Sequence, residues 1–187
     1  MKKKRGITLI EVLISSVLLV TISAAVSTIY VNGYRTYREQ FAEAQVNINA
    51  QTILDSIISD AKNAQSVEET YDIYTSGNNA VVLKVPAIDS NKNILYDGTS
   101  MLFDRIIYYF EGNAIHKKVF ADASSARYTQ NGLDKVLDQN ILVLEFAYEP
   151  DVISTTLLTV ELSASLKVGG STRDISLIGK ARLRNHL

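Results

Sequence analysis

Cysteine is absent from the 187 residues, which excludes a disulfide framework, a thiolate nucleophile and any cysteine-ligated metal. His116 and His186 are the only histidines, and no nucleophile elbow, Walker loop or His/Cys ligand spacing occurs. The residues therefore give catalysis no support, and the expectation is a non-enzymatic protein with no cofactor and no metal. Proline is scarce as well. Only Pro86 and Pro150 occur, so nothing forbids a single long helix between Ile7 and Val85. Net charge is small, with 19 basic against 20 acidic side chains, and supplies no general attraction to nucleic acid.

Charge is nevertheless concentrated at one place. Lys2-Lys3-Lys4-Arg5 precede Gly6, and an apolar run extends from Ile7 to Val31. Cations before such a run hold that end of the chain on the cytoplasmic side of a membrane. Helical residues rise about 1.5 Å each, so this run of about 25 residues exceeds the ~30 Å of a hydrocarbon core. A secretory signal has an apolar core of only about 7–15 residues, although Ser23-Ala24-Ala25 would suit its cleavage site. Glu11 interrupts the apolar character near its start. A carboxylate deep in a spanning helix costs about 2.5–3.5 kcal/mol on insertion scales and normally has a partner. Near the headgroups it can instead reach water, so the residue alone leaves both readings open.

Beyond Val31 the apolar pattern continues in another form. Gly33 is the one weak point for a helix, at a cost of about 1 kcal/mol relative to Ala. Val46, Ala50, Ile53, Ile57, Ala61 and Ala64 recur at three- and four-residue spacing, widened by Leu54 and Ile58, which predicts one amphipathic stripe on a helix reaching about Gln65. Tyr30, Tyr34 and Tyr37, with Arg35 and Arg38, suit a membrane–water interface. From Tyr71 onward the period becomes that of strands. Ala80 to Val85 ends at Pro86; Met101 to Phe110 and Ala114 to Phe120 flank Glu111-Gly112-Asn113; Ile141 to Tyr148 stops before Pro150; Thr155 to Val168 and Arg173 to Arg184 flank Gly169-Gly170-Ser171. Residues 85–98 and 121–138 read as irregular connections. The fold class is α+β: a long N-terminal helix packed on an antiparallel β-sheet that covers its stripe.

The string Gly6-Ile7-Thr8-Leu9-Ile10-Glu11-Val12-Leu13-Ile14 resembles the processing site of the type IV pilin superfamily, including the pseudopilins of type II secretion. That resemblance implies a pilin-like fold and cleavage by prepilin peptidase between Gly6 and Ile7. It also implies N-methylation of Ile7, where the family usually has Phe or Met, and an assembly role for Glu11. The amine paired with Glu11 would be that of its own Ile7 or that of a neighbouring subunit. Implied partners are other pilin or pseudopilin subunits, prepilin peptidase, an inner-membrane assembly platform and membrane lipid. The implied location is a bacterial inner membrane, crossed once with the C-terminal domain outside the cytoplasm, and then a filament. The segments 54–64, 106–113 and 180–185 look like those of larger minor pseudopilins (the J-type) and minor pilins. The domain division that follows is a leader of residues 1–6, a transmembrane and assembly helix of 7–31, its amphipathic continuation over 32–65, and a sheet domain of 66–187. Without the leader, 15 basic side chains remain against 20 acidic ones, a formal charge of −5.

Two further features weigh less. Lys180, Arg182 and Arg184 alternate along the last strand and so share one face. They are the candidate contact of an adhesive or DNA-binding tip subunit of a competence-type pilus, the first competing reading; an uncleaved single-pass membrane protein is the second. Asp89-Ser90-Asn91-Lys92-Asn93 opens with calcium-loop spacing, but Ile94 stands where glycine is required and Ser100 where the bidentate glutamate belongs. A plain turn is the expectation there. His116, beside Lys117 and Lys118, is expected to be solvated.

Overall fold

The computed structural model describes residues 8–138, 141–168 and 171–184. It comprises two compact units, Met1–Glu43 and Ala44–Leu187. Helix α1 (Leu9–Asn63) contributes to both. Within the first unit every described residue from Thr8 to Phe41 is exposed, including Leu19 and Ile29.

In the second unit the predicted stripe is the core. Ala50, Ile53, Leu54, Ile57, Ala61 and Ala64 are buried, with Val46 and Ile58 packed beside them. Each large aliphatic side chain removed from water here contributes about 1.5–3 kcal/mol. The helix ends where Gln65 leaves it to donate its N–H to Lys84 O at 2.8 Å.

The strands that follow are β1 (Ser66–Glu68), β2 (Thr70–Tyr71), β3 (Tyr74–Thr75), β4 (Ala80–Pro86), β5 (Tyr96–Asp97), β6 (Ser100–Met101), β7 (Phe103–Glu111), β8 (Ala114–Phe120), β9 (Asp134–Asp138), β10 (Ile141–Glu149), β11 (Leu157–Val168) and β12 (Ser171–Arg182). They form a five-stranded sheet in the order β1-β4-β7-β8-β9, a three-stranded sheet β10-β11-β12 and two small hairpins. All strand pairs are antiparallel. The expected α+β arrangement is present, with the sheet divided in two. Between β4 and β10 no ladder forms. Instead Phe146 N–H donates to Asn78 O at 2.8 Å, and the Tyr148 hydroxyl reaches Ala80 O at 2.8 Å and Gly77 O at 3.0 Å.

The β7–β8 hairpin follows from its turn residues. Gly112 and Asn113 have φ of 58° and 65°, the pair of left-handed conformations a two-residue type I′ turn requires. The second hairpin also forms, and its predicted turn residues Gly169 and Gly170 lie outside the described residues.

Residues 121–138 are less irregular than their sequence suggests. A 3-10 turn (Ala126–Gln130) and β9 lie there. The segment is tied down by Asp104, which is fully buried on β7 and accepts from Arg127 Nη1 at 2.8 Å, Ser125 Oγ at 2.7 Å and Asp122 N–H at 2.9 Å. A buried carboxylate is tolerated when it is paired and hydrogen-bonded in this way. His116 also differs from expectation. Its ring stacks on Tyr109, with centroids 4.8 Å apart, and Nδ1 lies 3.1 Å from Asp134 Oδ1, so it is mostly covered. The reason is β9, which pairs with β8 and brings Asp134 beside it.

Candidate assembly site

Helix α1 starts at Leu9, which makes Thr8 its N-cap and Glu11 its third helical residue. Thr-x-x-Glu at these positions is the pattern of a capping box. The Glu11 carboxylate atom Oε2 accepts from the Thr8 N–H at 2.9 Å and from Thr8 Oγ1 at 3.1 Å. Reciprocally, the Glu11 N–H donates to Thr8 Oγ1 at 3.4 Å. The Thr8 N–H at the helix start is therefore satisfied by a side chain, and the Glu11 N–H is shared between Thr8 Oγ1 and Thr8 O, the latter at 3.1 Å. The carboxylate also sits at the positive end of the helix dipole.

Nothing in the apolar run demanded that Thr8 act in this way. The Thr8–Glu11 spacing is the signal that finds it, and the pairing adds a local role for Glu11 beside the partner search expected of a membrane carboxylate. Among the described residues, the printed contacts of the carboxylate are both made by Oε2 with Thr8. Gly6 and Ile7, the expected cleavage and methylation positions, lie outside the described residues.

Further along the run, hydroxyls are satisfied within the helix itself. Ser15 Oγ donates to Glu11 O at 2.7 Å, Ser16 Oγ to Leu13 O at 2.9 Å, and Thr28 Oγ1 to Ala24 O at 2.9 Å. Polar atoms paired in this way suit a segment immersed in hydrocarbon. An 18-residue window of α1 has a mean hydropathy of 2.4, so the helix is long and apolar enough to cross a membrane. Residues 1–27 match the model of the prokaryotic N-terminal methylation motif. The chain thus carries a type IV pilin-like prepilin N-terminus. No curated protein and no solved structure matches the chain.

A prepilin-type N-terminus implies interaction with prepilin peptidase and with other pilin subunits in general. Tyr30, Tyr34 and Tyr37 are all exposed on α1. The Arg38 guanidinium lies 5.9 Å from the Tyr34 ring centre, and Tyr37 stacks on Phe41 at 6.2 Å. In the second unit Lys180 and Arg182 are exposed on one face of β12, either side of the buried Ala181, whereas Arg184 lies beyond the strand's end, with its N–H on Ala64 O, and lines a cleft with Asn63, Val85 and Arg127. The loop at Asp89 is closed by its own carboxylate. Oδ1 accepts from the Asn91 and Asn93 N–H groups at 2.8 Å, and Oδ2 from Asn93 Nδ2 at 3.0 Å. These bonds, the side-chain amide of Asn93 foremost, hold the Asp89 carboxyl below its ordinary range.

Proposed function

We propose that this chain is a minor pilin or pseudopilin, a structural subunit of a type IV pilus or of a type II secretion pseudopilus. Its precursor sits in the inner membrane through residues 7–31, with the basic leader of residues 1–6 on the cytoplasmic side. Residues 32–65 continue the helix, and residues 66–187 form the sheet domain outside the cytoplasm. Prepilin peptidase cuts between Gly6 and Ile7 and the new amine of Ile7 is methylated. Glu11 then pairs with an amine across a subunit contact, and an inner-membrane assembly platform moves the subunit into a filament. The apolar helices bundle, with Glu11 selective because an unpaired carboxylate in a dry bundle is costly.

The observation that carries this reading is a coincidence within one segment. The methylation motif of residues 1–27 overlies the first part of α1, whose apolar residues from Leu9 to Phe41 are all exposed. An uninterrupted apolar surface of this size requires lipid or other helices around it. The test is the N-terminus and intact mass of the protein from its native membranes, with and without prepilin peptidase. A peptidase-dependent start at Ile7 with one added methyl group is the expected result. A start at Met1 under both conditions removes the processing pathway, and a start near Val26 makes the segment an ordinary secretory signal.

A further inference from the structure

A cleft of about 400 Å³ lies in the second unit, between the end of α1, the end of β4 and the loop that follows it. Three cations line it. Lys92 comes from the loop after β4, Arg127 from the 3-10 turn, and Arg184 from the chain just past β12. Among the described residues of the lining none is acidic. The rest of the wall is mostly apolar, formed by Val85, Pro86, Ile88 and Ile94. This volume lies within the roughly 300–1,000 Å³ of ordinary binding sites, which likewise set a few polar groups in apolar walls.

Hydrogen bonds fix these walls. Arg127 Nη1 donates to Pro86 O at 2.9 Å and to the buried Asp104 at 2.8 Å. The Arg184 N–H donates to Ala64 O at 3.0 Å, which ties that residue to the end of α1. Lys92 has φ of 68°, in the left-handed region that few residues with a β-carbon adopt. The loop around it is closed by the Asp89 carboxylate, which accepts from Asn91 and Asn93, and by a bridge between Ile88 and Ile94. The Ala126 N–H then joins that loop to the 3-10 turn through Ile88 O, at 2.7 Å.

The charges lining the cleft do not cancel. Arg127 has Asp104 as its counter-charge, whereas neither Lys92 nor Arg184 forms an ion pair with a described residue. A cleft lined by one sign of charge, with apolar walls, focuses its field on an incoming ion of the other sign.

We propose that this cleft binds an acidic segment of a partner protein. A carboxylate side chain meets Lys92 and Arg184, with Arg127 beside them, and a neighbouring aliphatic side chain packs on Ile88 and Ile94. The argument for this occupant is charge complementarity together with the apolar wall. Inorganic phosphate would use the cations and leave that wall in water. A nucleic acid needs a track of phosphate contacts and flat rings for its bases, and no aromatic side chain lines the cleft. The proposal does not rest on processing of the N-terminus.

The test uses the full chain in a neutral detergent and a fluorescein-labelled peptide of Glu-Leu repeats, with binding read by anisotropy. A matched peptide of Gln-Leu repeats measures what the detergent and apolar contact contribute alone. The Glu-Leu peptide should bind about tenfold or more tightly than its neutral match, and added salt should narrow the gap. Lys92→Asn with Arg184→Gln should weaken it about tenfold or more, asparagine being suited to the left-handed backbone at residue 92. Lys180→Gln with Arg182→Gln removes the same charge from β12 outside the cleft and should leave affinity within about twofold. Arg127 is left unchanged because it holds Asp104. Equal binding of the two peptides, no saturable binding of either, or an equal loss in both double variants overturns the proposal. So does inorganic phosphate displacing the probe as readily as unlabelled Glu-Leu peptide does, which would make the cleft a simple anion site. Processing is read separately, from the N-terminal mass of the same preparation.

Discussion

A β-carbon placed on Gly179 of β12 would lie 2.9 Å from Leu54 Cδ1 and 3.0 Å from Ile58 Cγ1 of the helix. The helix approaches the strand so closely at this point that glycine alone fits without movement. Gly179→Ala is expected to destabilise the fold by about 1–3 kcal/mol through overpacking, and Gly179→Val by more. Thermal unfolding of the full chain in detergent, followed by circular dichroism, should show a fall of roughly 2–4 °C for each kcal/mol. Trimming the opposing residue, as in Gly179→Ala with Ile58→Val, should recover part of the loss. Full stability in Gly179→Ala alone would mean that the helix is free to shift on β12.

The polar contact between helix and five-stranded sheet makes a second prediction. Tyr108 is fully buried on β7, yet its hydroxyl donates to Asp60 Oδ2 at 2.6 Å and lies 3.1 Å from Ser56 Oγ. Lys117 Nζ meets the same Asp60 oxygen at 2.7 Å. Tyr108→Phe leaves Asp60 with Lys117 and should cost about 1–2 kcal/mol. Asp60→Ala strands both donors and should cost more. A double-mutant cycle between the two positions should give a coupling of about 0.5–3 kcal/mol, as expected of residues in one network. A coupling near zero would mean that Tyr108 acts through packing of its ring alone.

The acid–base behaviour of three phenols is also fixed by these surroundings. Burial, and then the negative charge of Asp60, push the Tyr108 phenol well above its ordinary value near 10. Burial does the same for Tyr148. Both groups favour the neutral form in the folded state, so their contribution to stability is complete below pH about 10 and declines as pH rises above it. Burial, and then the hydrogen bond to Asp134, raise Tyr109 as well, so titration followed by phenolate absorbance should show three of the ten tyrosines resisting ionisation until the fold is lost. Tyr148→Phe should remove one of the three. If all ten ionise together in the folded protein, the packing around β7 and β10 is looser than described.

The helix and its stripe were legible because periodicity over twenty residues is a strong signal, and Ala50 to Ala64 fell on the buried face. The β7–β8 turn was legible for a different reason: Gly-Asn is one of few pairs that accept two left-handed conformations. What escaped was long-range. Asp134-Lys-Val-Leu-Asp has too little alternation to announce a strand, and it becomes one by pairing with β8. The covering of His116 and the burial of Asp104 depend on that segment in turn. The division into two sheets depends on where β10 lies against the chain before β4. The capping box at Thr8 was readable in principle, but an apolar run with one acid draws attention to the acid and its distant partner rather than to the hydroxyl three residues before it.

The double engagement of Glu11 makes its role separable by substitution. If the charge matters for assembly, Glu11→Gln should be cleaved normally yet fail to enter filaments, because glutamine replaces glutamate in a capping box without loss of the helix start. Thr8→Ala keeps the carboxylate and removes the N-cap, at a cost of about 0.5–2 kcal/mol to the first turn. It should enter filaments at near-normal levels. The informative measurement is the ratio of filament-bound to membrane-bound subunit for the two variants, with cleavage scored in each by N-terminal mass. The reverse pattern, normal incorporation of Glu11→Gln with loss in Thr8→Ala, would assign Glu11 to helix capping and leave assembly to the apolar surface of α1.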